Sequence, residues 1–373
     1  MKTRLYPKIS IAIVILASFC VAACQQIPDV EEFLADVSPD EQPNFPLPTS
    51  ETANCYIVSS SGSYELYTVK GNSSEPVGEV SYAEVLWESF GTDVTPSEGD
   101  LISSVSYSAG KISYSVASPF KEGNAVIAAK DAYGEILWSW HIWLTDQPEE
   151  QVYYNNAGTM MDRNLGATSA APGDVGALGL LYQWGRKDPF LGSSSISESI
   201  ETKSTGTWPS AVSASAGNGT VDYATANPMT FIKGTDSSED DWHYSSRNND
   251  LWKSSKTIYD PCPVGWRVPD GGDNAVWFNA CGSSWYFDYP YDDTDEGMNF
   301  SGSFGGASVI WYPASGERRG KGGSLDYVGN IGSYWSVSPS SNCAWGLYFA
   351  SGFVSPTCIS IRAYGHSIRC LKE

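Results

Sequence analysis

Basic charge is scarce: 22 Lys and Arg stand against 43 Asp and Glu, for a formal net charge of -21. Such a chain repels the phosphates of nucleic acid and of anionic lipid, so neither is expected as a partner. Histidine is scarcer still, with only His141, His243 and His366. None of the eight cysteines forms a CxxC pair. Together these absences remove the usual Cys/His spacing of a structural zinc site. Helix-length apolar periodicities are very few from Gln151 onward, Ile27 to Val37 could form one short amphipathic helix, and no repeat of fixed period is visible. No nucleophile turn accompanies a histidine and an acid in sequence, so no hydrolytic signature is visible and no enzyme is expected. His243, in Asp240-Asp241-Trp242-His243-Tyr244, reads as part of a surface loop.

One long apolar run is present, and it stands at the start. Lys2, Arg4 and Lys8 precede Ile9–Ala23, interrupted only by Ser10, Ser18 and Cys20. A positive start and an apolar stretch shorter than the ~20 residues of a spanning helix make a signal peptide over residues 1–23. Val21-Ala22-Ala23-Cys24 resembles the lipobox of bacterial lipoproteins. That resemblance implies cleavage before Cys24, lipidation of its thiol, and a mature chain held at the outer membrane or cell surface by acyl chains. An exported chain can oxidise its remaining cysteines.

From residue 24 to 52 the sequence is acidic and proline-bearing, without Lys or Arg, and reads as a spacer. Residues 53–148 then carry seven short runs rich in Val, Ile, Tyr and Trp, closed by turn residues. They are Cys55–Ser59, Tyr64–Val69, Ala83–Trp87, Leu101–Tyr107, Lys111–Val116, Ala125–Asp131 and Ile136–Leu144. Their spacing predicts an immunoglobulin-like β-sandwich. In the last run, alternation places Ile136, Trp138, Trp140, Ile142 and Leu144 on one face of a half-buried strand. Asp131-Ala132-Tyr133-Gly134 before it reads as a hairpin turn.

Residues 149–373 have another texture, with long Gly/Ser-rich stretches between compact motifs. The motifs are Met161-Asp162-Arg163-Asn164-Leu165-Gly166-Ala167-Thr168, Gly179-Leu180-Leu181-Tyr182-Gln183-Trp184-Gly185-Arg186 and Asp260-Pro261-Cys262-Pro263-Val264-Gly265-Trp266-Arg267-Val268-Pro269. Then come Tyr334-Trp335-Ser336, Ala344 with Leu347 and Phe349, and Arg362 followed by Gly365, Ser367, Ile368, Arg369 and Cys370. In this order they resemble the Fibrobacter succinogenes major paralogous domain, over about Tyr153 to Lys372. The family is similar to C-type-lectin-like proteins, and many of its members look like surface lipoproteins of Bacteroidetes. The resemblance implies a mainly β fold with an α+β, lectin-like C-terminal part, and a role in adhesion or ligand binding at the cell surface. A structural or tip component of a surface fimbria is the alternative, favoured by a sandwich edge open to a strand from another subunit.

On the residues themselves, Pro261 and Pro263 fix a corner around Cys262, and Gly265 lets Trp266 turn inward as an apolar plug. Ile368 and Cys370 share one face of a final strand, so a Cys262–Cys370 disulfide would tie corner to strand. The family pattern implies the same pair. Pairings of Cys55, Cys281, Cys343 and Cys358 stay open, although a Cys343–Cys358 bridge would staple a local hairpin. The family usually carries an aromatic residue where His366 stands, and alternation turns His366 toward the core, as a buried neutral side chain with one hydrogen bond.

For binding, the aromatic-rich end is singled out: Tyr334, Asn342, Trp345, Gly346, Tyr348, Phe353 and Tyr364. Leu347 and Phe349 would face the core, which turns Gly346 and Tyr348 outward. Exposed aromatics supply contact area at low entropy cost, against an extracellular glycan or protein. Lectin-like segments of this kind are sometimes rewritten by retroelements, and Asn342, Gly346, Tyr348 and Phe353 would suit such diversification. No cofactor is expected. Asp288, Asp292, Asp293, Asp295 and Glu296 offer oxygen ligands of the kind calcium prefers, without EF-hand order, and read foremost as a solvated acidic loop.

Overall fold

A computed structural model describes residues 51–234, 241–244, 247–272, 275–282 and 291–373. The chain is mainly β, as expected. All seven runs of the first part are strands: β1 (Cys55–Val58), β2 (Gly62–Tyr67), β3 (Tyr82–Ser89), β4 (Ile102–Ser108), β5 (Lys111–Val116), β6 (Gly123–Lys130) and β7 (Ile136–Leu144). They form two sheets, β1-β7-β6-β3 and β2-β5-β4. Only β1 and β7 pair in parallel. The Asp131–Gly134 turn closes the β6–β7 hairpin, where the Asp131 carboxylate accepts the backbone N–H groups of Tyr133 and Glu135 at 2.8 and 2.9 Å. Gly134, at φ 87°, occupies a backbone region that a side chain would resist.

The expected apolar face of β7 is present. Trp138, Trp140, Ile142 and Leu144 pack with Leu66, Ile112 and Tyr114 of the opposite sheet. The strand is nonetheless buried on both sides beyond its first two residues. Its other face carries Ser139, His141 and Trp143 against the second part of the chain. Cys55, Trp87, Val126 and Trp143 share one apolar core with Met161, Leu165, Trp184, Trp335, Cys262 and Cys370. Alternation showed one hydrophobic face; on the reverse face polar bonds join that shared apolar core, and hydropathy does not reveal them. Asn54 donates to the carbonyls of Ile258 and Asp260 at 2.7 and 2.8 Å. Asn124 donates to Gly166 and the Trp143 indole to Ala167, both at 2.9 Å. The buried Lys187–Asp188 pair closes on Ser139, with Lys187 Nζ 3.0 Å from its carbonyl. The described residues therefore make one compact unit, with no break in packing at 148/149.

In the second part the strands are short, and buried side-chain hydrogen bonds replace long ladders. The motif blocks come together there. Leu165 N–H donates to Ile368 (2.8 Å), the Trp335 indole to Tyr182 (2.8 Å) and the Trp184 indole to Ser336 (2.9 Å). Buried Arg369 reaches Asn164 and the Trp311 carbonyl and lies over the Tyr312 ring. Arg186 is bound by Gln183 and the Thr230 carbonyl, and its burial lowers its pKa to about 10. Cys262 and Cys370 are joined by a disulfide. Asp260 holds the corner by accepting from Cys262 N–H (2.9 Å) and Val268 N–H (3.0 Å). Trp266 packs against the shared core, as the sequence reading expects, but is only half-buried there.

Residues 331–361 form a three-stranded antiparallel sheet of Ile331–Ser340, Cys343–Ala350 and Phe353–Ile361. One face, with Tyr334, Leu347 and Phe349, is packed into a second core around Phe300, Phe304 and Tyr312. The other face carries Trp335, Gly346 and Tyr348. Residues Gly365–His366 and Glu317–Arg318 adjoin it through a four-stranded sheet.

Candidate functional site

The outward face of this terminal sheet holds a cleft of about 150 Å³. Its floor is Trp335 and Gly346, and around them stand Tyr348, Cys358, Ile359, Ser360, His366 and Glu317. Gly346 is required at the floor, because a Cβ there would run into the carbonyl of Tyr334 on the neighbouring strand. A bulge in the pairing of Cys343–Ala350 with Phe353–Ile361, between Gly346 and Tyr348, shifts the register beside the cleft.

Polar groups converge at one end. Ser360 Oγ lies 2.7 Å from His366 Nε2, and Glu317 Oε2 lies 3.8 Å from His366 Nδ1. Arg319 donates to the other Glu317 oxygen at 2.7 Å and lies over the rings of Tyr327 and Tyr364. Burial lowers the His366 pKa to about 3, so the ring is neutral at ordinary pH and its approach to Glu317 is not an ion pair. Burial also raises the Glu317 carboxyl, against the pull of Arg319. The expectation of a buried neutral histidine with one hydrogen bond thus agrees with its 2 % exposure and its bond to Ser360.

The residues singled out for binding do not all gather at the cleft. Tyr348 lines the cleft and Phe353 stands beside it, 49 % exposed, with ring centroids 6.0 Å apart. Gly346 shares the face of Tyr348, but it is buried as floor. Asn342 lies in the hairpin turn, Trp345 is half-buried against Gly271 and Gly272, and Tyr364 is half-buried under Arg319. Tyr334 borders the cleft, but the outward orientation expected of its side chain is a correction. Tyr334 stands opposite Leu347 in the ladder, hence on the core face, is 1 % exposed, and donates its hydroxyl to Pro313 at 2.8 Å.

A second correction concerns the cysteines. Cys343 stands opposite Ile361 and Cys358 opposite Gly346, so the two thiols are offset along the ladder and do not staple the hairpin. The acidic loop gives no cation cage among the described residues. Asp292 caps its own turn through the N–H groups of Thr294 and Asp295, and Glu296 takes the Tyr291 hydroxyl. Asp288, Cys24 and the whole leader lie outside the described residues. Among the described residues no helix is long and apolar enough to cross a membrane.

Sequence reasoning missed Glu317, Cys358 and Ser360. Each sits in a short or bulged strand whose pairing is not set by local pattern. His366 was the available signal, since it replaces an aromatic residue at a place where polarity needs a partner. Comparison with family models, with curated proteins and with solved structures finds no match.

Proposed function

We propose that this chain is a lipid-anchored surface protein that recognises an extracellular glycan or protein through its C-terminal cleft and the aromatic rim around it. The observation that carries this reading is the clustering of exposed large side chains around one concavity. Phe353, Ile359 and Tyr327 are 49 %, 51 % and 44 % exposed, and Tyr348 and the Arg319–Tyr364 stack complete the rim. Rigid aromatic side chains beside a pocket are the usual anchors of a binding face. The resemblance to the Fibrobacter succinogenes major paralogous domain supports the same reading, and the leader with Cys24 supports the export and the anchor.

The fimbrial alternative calls for an open sheet edge. At β3 that edge is covered: Lys203 N–H donates to Thr92, Thr205 N–H to Glu88, and Glu88 N–H to the Thr205 hydroxyl. The β2 and β4 edges of the other sheet pair only with β5 among the described residues, so recognition is preferred on the strength of the cleft and the fimbrial role stays the second reading. The test is binding of the purified full-length protein to arrays of glycans and of surface proteins, beside a Tyr348→Ala, Phe353→Ala double variant. Saturable binding that falls at least tenfold in the variant supports the reading; absence of binding to both arrays overturns it.

A further inference from the structure

The cleft contains a chemical arrangement that recognition does not use. We propose that Ser360, His366 and Glu317 act as nucleophile, base and orienting acid, and that they transfer a short acyl group from an ester to Ser360 and then to water. The inference stands apart from the recognition reading and needs no particular partner.

Three observations carry it. First, the order of groups is that of a hydrolytic row: Ser360 Oγ is 2.7 Å from His366 Nε2, and the opposite ring nitrogen faces Glu317 Oε2 at 3.8 Å. Second, the ends of the row differ in access. Glu317 and His366 are buried, at 6 % and 2 % exposure, while Ser360 is half-buried and lines the cleft. Third, His366 Nδ1 is a buried atom without a hydrogen-bond partner, and Arg319 engages the Glu317 oxygen that lies away from it. With Ser360 donating to Nε2, the proton of the neutral ring resides on Nδ1, the nitrogen nearer the carboxylate, where the Gly365 backbone carbonyl competes for it. A movement of about 1 Å brings the carboxylate contact into hydrogen-bond reach, and such contacts are often long before substrate binds.

The neutral imidazole is the form a general base requires. As Ser360 Oγ bonds to the ester carbonyl carbon, its proton passes to Nε2, and Glu317 stabilises the imidazolium. The C–O bond to the leaving alkoxide then breaks, and the Nε2 proton goes to that oxygen, releasing an alcohol. Water repeats the sequence on the acyl-serine, giving a carboxylic acid and free Ser360. The Tyr348 hydroxyl, on the cleft wall and without a hydrogen bond among the described residues, is the donor available to the developing oxyanion. At about 150 Å³ the cleft lies below the roughly 300–1,000 Å³ of ordinary ligand pockets, so it admits a short acyl group such as acetyl, with the rest of the ester outside.

The test is incubation of the full-length protein with a fluorophosphonate probe and with p-nitrophenyl acetate, followed by mass mapping of the modified peptide. Stoichiometric modification at Ser360 is expected, with loss in Ser360→Ala and a fall of roughly a hundredfold or more in His366→Phe. Glu317→Gln should slow acetate release with its melting temperature retained, an effect that a packing role alone does not give. No modification of Ser360 in the unaltered protein, or equal modification in a folded His366→Phe variant, overturns the proposal. In the unaltered protein, array binding without modification of Ser360, or modification of Ser360 without array binding, separates the two readings, since either can fail while the other holds.

Discussion

At the scale of single residues, the two buried histidines and Asp260 pull the acid response in opposite directions. His141 is buried with Nε2 on Asn124 at 2.8 Å, and burial alone lowers its pKa to about 3. Its folded pKa is below the unfolded one, so its contribution is present above about pH 6.5 and is lost as pH falls toward 3. Over that window the folded state loses about 1.4 kcal/mol per pH unit for each such group. A His141→Gln variant should show a flatter fall of urea midpoint between pH 6.5 and pH 4.5 than the parent; an equal fall refutes the assignment. Asp260 behaves conversely. Burial raises it to about 6, and Lys256 opposes this. Its contribution is complete below its unfolded pKa and is lost as pH rises through 6. In Asp260→Asn the rise of stability on going from pH 7 to pH 5 should shrink, measured as the difference in unfolding midpoint from the parent. Gly346 is the third residue with a defined cost. Gly346→Ala drives a methyl into a backbone carbonyl and should destabilise by about 1–3 kcal/mol in urea titration.

At the scale of elements, legibility depended on how far a strand's own alternation fixes its neighbours. The seven strands of the first part could be read because each is long enough for turn residues and β-branched runs to mark its ends. Tyr334 could not be placed the same way. Its exposure depends on its opposition to Leu347, and that opposition is set beside an irregularity between Trp335 and Pro339. Two-residue strands such as Glu317–Arg318 and Gly365–His366 carry no period at all, so the meeting of Glu317 with His366 is a product of tertiary packing. The corner at Cys262 was legible from its two prolines and the disulfide is the expected one, although Ile368 and Cys370 lie just ahead of the short last strand, Leu371–Lys372, and not in it. The disulfide closes a separation of 108 residues. Its reduction, or Cys370→Ser, should cost about 2–5 kcal/mol, seen as a lower melting temperature that reductant does not lower further in the variant.

At the scale of the whole molecule, the shared core decides what can be separated. The sequence changes texture near residue 149, yet Trp87, Val126 and Trp143 are packed with the second part's own tryptophans. A chain starting at Gln151 leaves that surface bare. It also orphans the partners of Asn54 and Asn124. Such a fragment is expected to aggregate or to bind a hydrophobic dye, whereas a chain starting at Glu51 should unfold in one cooperative transition; calorimetry of the two distinguishes shared from separate domains.

The parallel pairing of β1 with β7 bears on mechanics. β1 is the first strand of the described chain, and its four partnered positions run from Cys55–His141 to Val58–Leu144 in the interior sheet. A pull on the chain ahead of Cys55 loads that ladder lengthwise, so its hydrogen bonds share the force and fail together instead of peeling one by one. Were the chain held at its amino end and pulled at its carboxy-terminal face, as the proposed function has it, this ladder would act as a shear clamp.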